Sequence, residues 1–293
     1  MATSTSAILT PKMVSELFTK VKGHSSLAKI SGQSPISFNG NEIMTFSMDG
    51  EAAIVAEGAK KPAGEATFKP VTITPIKFVY QHRVSDEFIR ASDEDAIPYL
   101  QAFTNGFSAK IARALDIAAI HGLNPIDGTV ADSVSGKSFD TLVTQTVTYA
   151  EATADENIDS AVATVQASDG NVTGIVMSPD FGAAMSKIKV NGVVQYPEFR
   201  FGGNPASFAG YASDINNTVS FKDSKDKAII GDFANAFRWG YAANVPLEVI
   251  PYGDPDGLGD LKQHNQVCLR AEAYIGWGIL DAESFVRVAA TGA

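Results

Sequence analysis

The longest helical pattern in the chain runs from Asp95 to His121. Leu100, Phe103, Phe107, Ile111, Leu115 and Ala118 recur every three or four residues, which places them on one stripe of a helix. At 1.5 Å rise per residue such a helix is roughly 40 Å long, more than an ordinary core needs. Asp93-Glu94-Asp95 suits its N-terminus, where negative charge meets the helix dipole. Pro98 requires a start near Asp95, and Gly122 with Pro125 ends the helix.

The stretch before it, Asn41 to Val84, has strand period. Met44, Phe46 and Met48 alternate with Thr45 and Ser47. Asp49-Gly50 marks a turn, and Ala52 to Ala56 can extend the arm. The tip, Glu57 to Glu65, is small, polar and glycine-rich, so exposure is expected there. The return arm alternates at Val71 and Ile73, then at Ile76, Phe78 and Tyr80, with a phase flip at Pro75. A one-residue shift moves side chains to the other face, so a bulge or bend is expected. Pro70 and Pro75 argue against a central strand. The expected element is a bent hairpin outside the main sheet.

Elsewhere the pattern is more compact. Thr10-Pro11 starts a short helix carrying Val14, Leu17, Phe18 and Val21. Thr153 and Glu156 form a capping box before Ile158, Ala161, Val162 and Val165. Val172 to Met177 is a short buried strand. Ser178-Pro179 opens a helix with Phe181, Met185 and Ile188, and this alternation predicts an α/β lobe. Lys227 to Ile230 and Val245 to Ile250 are further strands. Near the end, Val267, Leu269, Ala271, Ala273, Ile275, Trp277 and Ile279 all fall on odd positions, with Arg270 and Glu272 between them. That predicts a half-buried strand of ~13 residues, packed near the long helix.

Composition narrows the function. The chain has 293 residues, 45% hydrophobic and 19% charged, enough for a sizeable core. Its net charge of −10 excludes a general pull on nucleic acid. The single cysteine, Cys268, excludes an intrachain disulfide. The N-terminus lacks a signal-peptide pattern, no apolar run reaches the ~20 residues of a membrane span, and a soluble, cytoplasmically made protein is expected.

No catalytic constellation emerges. His24, His82, His121 and His264 are not at metal-ligand spacing and read as ordinary surface or core histidines. Gly23 to Leu27 is not a nucleophile elbow, and the glycine-rich Phe201 to Gly210 lacks the lysine of a phosphate loop. Gly253 to Asp260 begins like a calcium loop but lacks the closing glutamate, so a solvated acidic turn is expected. No cofactor and no metal are expected.

The order of parts resembles the major capsid proteins of tailed double-stranded DNA phages, the Hong Kong 97-type fold. Thr10 to Ile36 looks like that family's N-terminal arm and Asn41 to Val84 like its extended loop. Val84-Ser-Asp-Glu-Phe88 and Ala114-Leu-Asp-Ile-Ala-Ala-Ile-His-Gly122 resemble the entry and end of its spine helix. Gly174-Ile-Val-Met-Ser-Pro179 and Ile230-Gly-Asp-Phe233 are similar to axial-domain motifs, and Leu269-Arg-Ala-Glu-Ala-Tyr274 with Ser284-Phe285 resembles the closing strand.

The resemblance implies an α+β subunit, not an enzyme. Its parts would be an arm (1–40), an extended loop (41–84), a peripheral domain (85–150 and 265–293, spine helix 95–121) and an axial domain (151–264). Copies would form the hexamers and pentamers of an icosahedral head around double-stranded DNA, in the virion. Further partners would be a portal, a scaffolding protein and a decoration protein; the scaffold is expected to be separate because Met1 lies close to the arm. Glu57, Lys60, Lys61, Glu65 and Lys69 would touch a neighbouring subunit. Leu100, Phe103, Phe107, Ile111 and Leu115 would form the spine-helix core face, and Val267, Leu269, Ile275 and Trp277 that of the closing strand. Some members join subunits through a lysine–asparagine bond; no asparagine partner is identifiable here, and none is predicted. A bacterial encapsulin-type shell shares the fold and is the nearer alternative. A soluble enzyme or ligand-binding protein is the remoter one.

Overall fold

The computed structural model describes residues 25–49, 52–89, 93–242 and 247–291. The expected helix after Thr10 and His24 lie outside the described residues. In chain order come α1 (Ser26–Ile30), β1 (Asn41–Asp49), β2 (Glu65–Ile73), β3 (Ile76–Ser85), α2 (Asp86–Ile89), α3 (Asp93–His121), α4 (Phe139–Leu142), β4 (Thr146–Thr148), α5 (Ala154–Ala167), β5 (Gly174–Met177) and α6 (Pro179–Lys187). Then follow β6 (Lys189–Val190), β7 (Val193–Val194), β8 (Ser207–Phe208), β9 (Tyr211–Ile215), β10 (Asp226–Gly231), β11 (Phe237–Tyr241), β12 (Leu247–Ile250), β13 (Gln266–Ile279) and β14 (Phe285–Ala289).

Two sheets organise the molecule. In the first, β13 is the centre: β3 pairs along one edge, and β11 and β12 pair end to end along the other, all antiparallel. This corrects the expected hairpin. Only β1 and β2 form a separate two-stranded ladder. The return arm breaks at Thr74-Pro75, where the phase flips, and β3 then joins the main sheet as an edge strand. Residues 52–56 are not strand. The arm before β1 adds to the same sheet: Ser34 N donates to Trp239 O at 2.8 Å. This approach requires glycine at 240, because a Cβ there would lie 1.7 Å from Ser34 O.

The second sheet runs β4-β14-β10-β5-β9-β8 and mixes parallel and antiparallel pairs. It takes in β4 and β14, which the sequence boundaries had grouped with the long helix. Its strands alternate between two cores. Ile175, Met177, Ala228, Ile230, Val286 and Val288 pack under α5 and α6 with Ile158, Ala161, Val165, Phe181 and Met185. Val176, Ile229 and Phe285 face the opposite way, into the core that holds α3 and β13. A sheet covered on both faces needs apolar residues at consecutive positions, which is why Gly174–Met177 reads as a continuous buried run.

Helix α3 starts at Asp93, two residues before the expected start, which puts Pro98 in its second turn. Leu100's side chain lies outside the described residues. From 101 to 110 the helix shows a stripe: Thr104, Phe107 and Ser108 are buried, Phe103 is half-buried, and the other positions are exposed. From Ile111 to Gly122 every residue is buried except the half-buried Arg113. A one-sided stripe was expected throughout. The last three turns are instead enclosed by α1, β13 and the second sheet.

β13 differs in a similar way. Val267, Leu269, Ala271, Ala273, Ile275, Trp277 and Ile279 are buried, and so are Cys268, Gly276 and Gly278 between them. The strand is therefore half-buried only at positions 270, 272 and 274 of that stretch. Ile73 covers the far face: a Cβ on Gly278 would lie 2.8 Å from Ile73 Cγ1. Glycine there lets the hairpin's root sit directly on the strand.

Among the local signals, Ser178 caps α6 by accepting from Phe181 N at 3.2 Å. Thr153 precedes α5 without a side-chain cap bond. Asn157 takes over, donating from Nδ2 to Ala150 O at 2.9 Å.

Candidate assembly surface

The β1–β2 ladder pairs Met44 with Pro70, Phe46 with Phe68 and Met48 with Ala66. Paired residues share a face, so these six make one apolar face. All six are exposed; Met48 reaches 75% and Phe68 62%. Phe46 and Phe68 lean on each other, with ring centroids 4.9 Å apart. An isolated two-stranded hairpin is marginal in water, and an apolar face of this size on a monomer marks a contact surface. Glu57, Lys60, Lys61, Glu65 and Lys69 are all exposed, and among the described residues no ion pair links them to one another. The structure does not bring them together into a site.

Arg83 on β3 gathers the acidic turn. Its Nε donates to both Asp256 oxygens at 2.9 and 2.8 Å, and Nη2 reaches Asp254 Oδ1 at 3.1 Å and Gly259 O at 2.9 Å. The guanidinium holds the Asp256 carboxyl below its usual range. The turn stays at the surface, with Asp254, Gly257 and Leu258 exposed, and the arginine is the partner that the sequence reading did not name. No cation is needed to bring these carboxylates together.

A polar junction lies at the end of α3. Asp116 is fully buried and accepts from Ser26 N at 3.0 Å, Leu27 N at 3.4 Å, Asn216 Nδ2 at 3.2 Å, Thr218 Oγ1 at 3.1 Å and from Ser25 Oγ. One carboxylate thereby ties α1, α3 and the loop after β9. Burial pushes it up to about 6, against the pull of those donors. Beside it, Asp214 receives Lys29 Nζ at 2.5 Å and Asn204 Nδ2 at 3.0 Å.

One turn on, His121 Nε2 donates to Thr218 O at 2.9 Å, and Nδ1 faces Asp140 Oδ2 at 2.8 Å. Arg287 on β14 reaches Asp140 Oδ1 at 2.7 Å and Asp226 Oδ2 at 3.3 Å. Burial lowers the His121 imidazole, but the Asp140 carboxylate outweighs it and the ring is raised overall. Burial and the neighbouring Asp140 push Asp226 up to about 7. Asp140 stays below its usual range despite burial, because His121, Asp226 and Arg287 all favour its ionised form. Ligand atoms of His121, Asp140 and Asp226 lie within 4.8 Å of one another. Arg287 supplies the positive charge there, and the group reads as a structural clasp. Of the two expected readings, surface or core, His121 is a core histidine, and its partners in that core are more than the sequence reading named. The clue was in Ala114-Leu-Asp-Ile-Ala-Ala-Ile-His121, where two ionisable residues interrupt an otherwise apolar run and so must be buried with partners.

The residues expected on core faces are found as follows. Phe107, Ile111 and Leu115 are buried in the core that α3 shares with β13, and Phe103 packs at its edge. Val267 and Leu269 sit in a smaller cluster with Val84, while Ile275 and Trp277 join the α3 core. No helix among the described residues is long and apolar enough to cross a membrane.

The family model described as phage capsid family matches residues 6–289. The chain belongs to the phage capsid family. It is a structural protein of phage heads, not an enzyme. It is 30% identical to a solved chain from Mycobacterium phage Ogopogo, with a TM-score of 0.78 and 92% of each chain covered. A chain from Gordonia phage Cozz is 24% identical with a TM-score of 0.72, over 93% of this chain and 86% of that one. The probable major capsid protein gp17 of Mycobacterium phage D29 is 22% identical over 96% of this chain and 89% of its own length. These matches favour neither the encapsulin-type reading nor the enzyme reading.

Proposed function

We propose that this capsid protein is the subunit from which hexamers and pentamers of an icosahedral head are built, enclosing double-stranded DNA without sequence-specific contacts. The exposed apolar face of the β1–β2 hairpin carries this reading. It is useless to a lone subunit and suited to lie across a neighbour. The net charge of −10 suits a container that must release what it packs. Glu57, Lys60 and Lys61 of the tip, with Glu65 and Lys69 of β2, would add charged contacts to the neighbour beside that apolar face. The α3 and β13 core faces hold the subunit together rather than the shell. A scaffolding protein, a portal and a decoration protein are the further partners, and assembly takes place in the host cytoplasm. Size-exclusion chromatography with negative-stain microscopy tests this, on protein made with and without its neighbouring genes. Closed shells, or rings of five and six, are expected. A subunit that stays monomeric even with its scaffold contradicts the reading.

A further inference from the structure

β3 is an edge strand. Its ten residues, Ile76–Ser85, pair with β13 in one unbroken register, without a bulge or a proline. Among the described residues no strand pairs with its other edge. The opposite side of the same sheet is treated differently. There residues 33–36 of the chain itself lie along β11, with Ser34 N donating to Trp239 O at 2.8 Å and Ile36 N to Tyr241 O at 3.4 Å. The edges of the six-stranded sheet, β4 and β8, are only three and two residues long. Proteins blunt a long edge with bulges, proline, charge or a cover, because its unpaired N–H and C=O groups recruit another strand. The charges on β3 do not serve that end. Lys77 Nζ is drawn to Glu272 on β13 at 2.6 Å, and Arg83 is drawn to Asp256 in the turn before β13.

A groove of about 910 Å³ follows that free edge between β3 and α3, lined by Lys77 to Gln81, and a hollow of about 290 Å³ carries it on past Tyr80 and His82. At strand rise these positions span ~17 Å, the length of an ordinary strand. Phe78 and Tyr80 turn toward α3, where Phe78 joins the α3 core and Tyr80 lies against Phe103. Ile111 and Ala114 of α3 add apolar lining. The same lining holds four cations, Lys77, Lys110, Arg113 and Arg270, against one carboxylate, Glu272, in a chain whose net charge is −10. Lys77 takes Glu272, whereas Lys110 and Arg113 have no carboxylate partner among the described residues. We infer that this edge takes an extended acidic segment of another protein as an added strand. Its backbone would pair with β3, its apolar side chains would rest on α3, and its carboxylates would meet those cations. The chain's own residues 1–24 suit the groove poorly, because they carry Lys12, Lys20 and Lys22 against Glu16 alone. A phosphodiester has the charge but no donor for the carbonyls of a strand.

The probe is an end-blocked, fluorescein-labelled octapeptide that alternates valine and glutamate. It is titrated into the full-length chain as free subunits and followed by anisotropy. Saturable binding that weakens as salt is added is expected, and a peptide with lysine in place of glutamate should not bind. An N-methylated form keeps every side chain and charge but has no backbone donor, and it should bind roughly tenfold or more weakly. Lys110 is exposed, so Lys110→Glu should melt like wild type yet bind the glutamate peptide several-fold more weakly. Absence of saturable binding overturns the proposal. So does equal binding of the N-methylated form, which would mean that negative charge alone is read, as from a phosphodiester. So does binding that Lys110→Glu leaves unchanged, which would seat the peptide elsewhere. The measurement needs no shell, so its failure leaves the self-assembly reading standing, and a failure to build shells leaves the open edge standing.

Discussion

The end of α3 and the β1–β2 hairpin invert the usual rule of where polar and apolar groups belong. Around Asp116 and His121 the chain buries ionisable groups and surrounds each with donors and counter-charges. Along the hairpin it exposes phenylalanine and methionine on a ladder with no covering element among the described residues. The difference separates two kinds of energy. The junction is closed within the subunit, so breaking it costs folding stability. The hairpin face is unfinished, so its burial energy becomes available only on meeting another molecule.

The largest separation should come from removing Gly50 to Pro70. The subunit should keep its fold by circular dichroism, because it is the hairpin's root at Val71 and Ile73, outside the deletion, that packs on β13, yet stable shells should be lost altogether under the microscope. Global unfolding of that variant would place the hairpin with the core. Next in size is damage to the α3 core. Phe107→Asp puts an unpaired charge at a site only 2% exposed and should cost ~3–5 kcal/mol, read as a large fall in Tm. Asp116→Ala strands the donors from Ser25, Ser26 and Thr218 and should cost several kcal/mol on the same scale. An unchanged Tm in either variant would mean that the helix end is not held as described.

A smaller effect should appear with pH. Asp116 at about 6 and Asp226 at about 7 lie above the unfolded carboxyl value of 3.8. Between those limits the folded state binds more protons than the unfolded one, so stability falls as pH rises. His121 is also raised, and its contribution is lost as pH climbs past the ordinary histidine value. Tm should therefore be higher at pH 5 than at pH 8, and Asp226→Asn should flatten that slope. Asp140, held low, works the other way only in acid below about pH 4. The smallest effect belongs to Lys60→Ala with Lys61→Ala. Thermal melts of the free subunit should move by no more than ~0.5 kcal/mol equivalent, as for any exposed tip.

What the sequence revealed divides along the same line. Short-range patterns carried through: the odd-numbered run of β13, the cap at Ser178 and the phase flip at Pro75 each depend on neighbours a few residues away. Long-range pairings did not. Nothing near Arg83 announces that it will hold Asp254 and Asp256, 171 and 173 residues later. The capping box at Thr153 lost to Asn157, whose bonds to Ala150 depend on how the chain enters α5. The burial of Gly276 and Gly278 follows from Ile73 of the hairpin root, a contact that no local period encodes.

Hydrogen–deuterium exchange on residues 41–73 and 111–121, in free subunits and in assembled shells, tests the central contrast most directly. The hairpin should exchange fast when free and become protected in the shell, while 111–121 stays protected in both. A hairpin already protected in the free subunit, or one that still exchanges fast in the shell, would contradict its assignment to assembly.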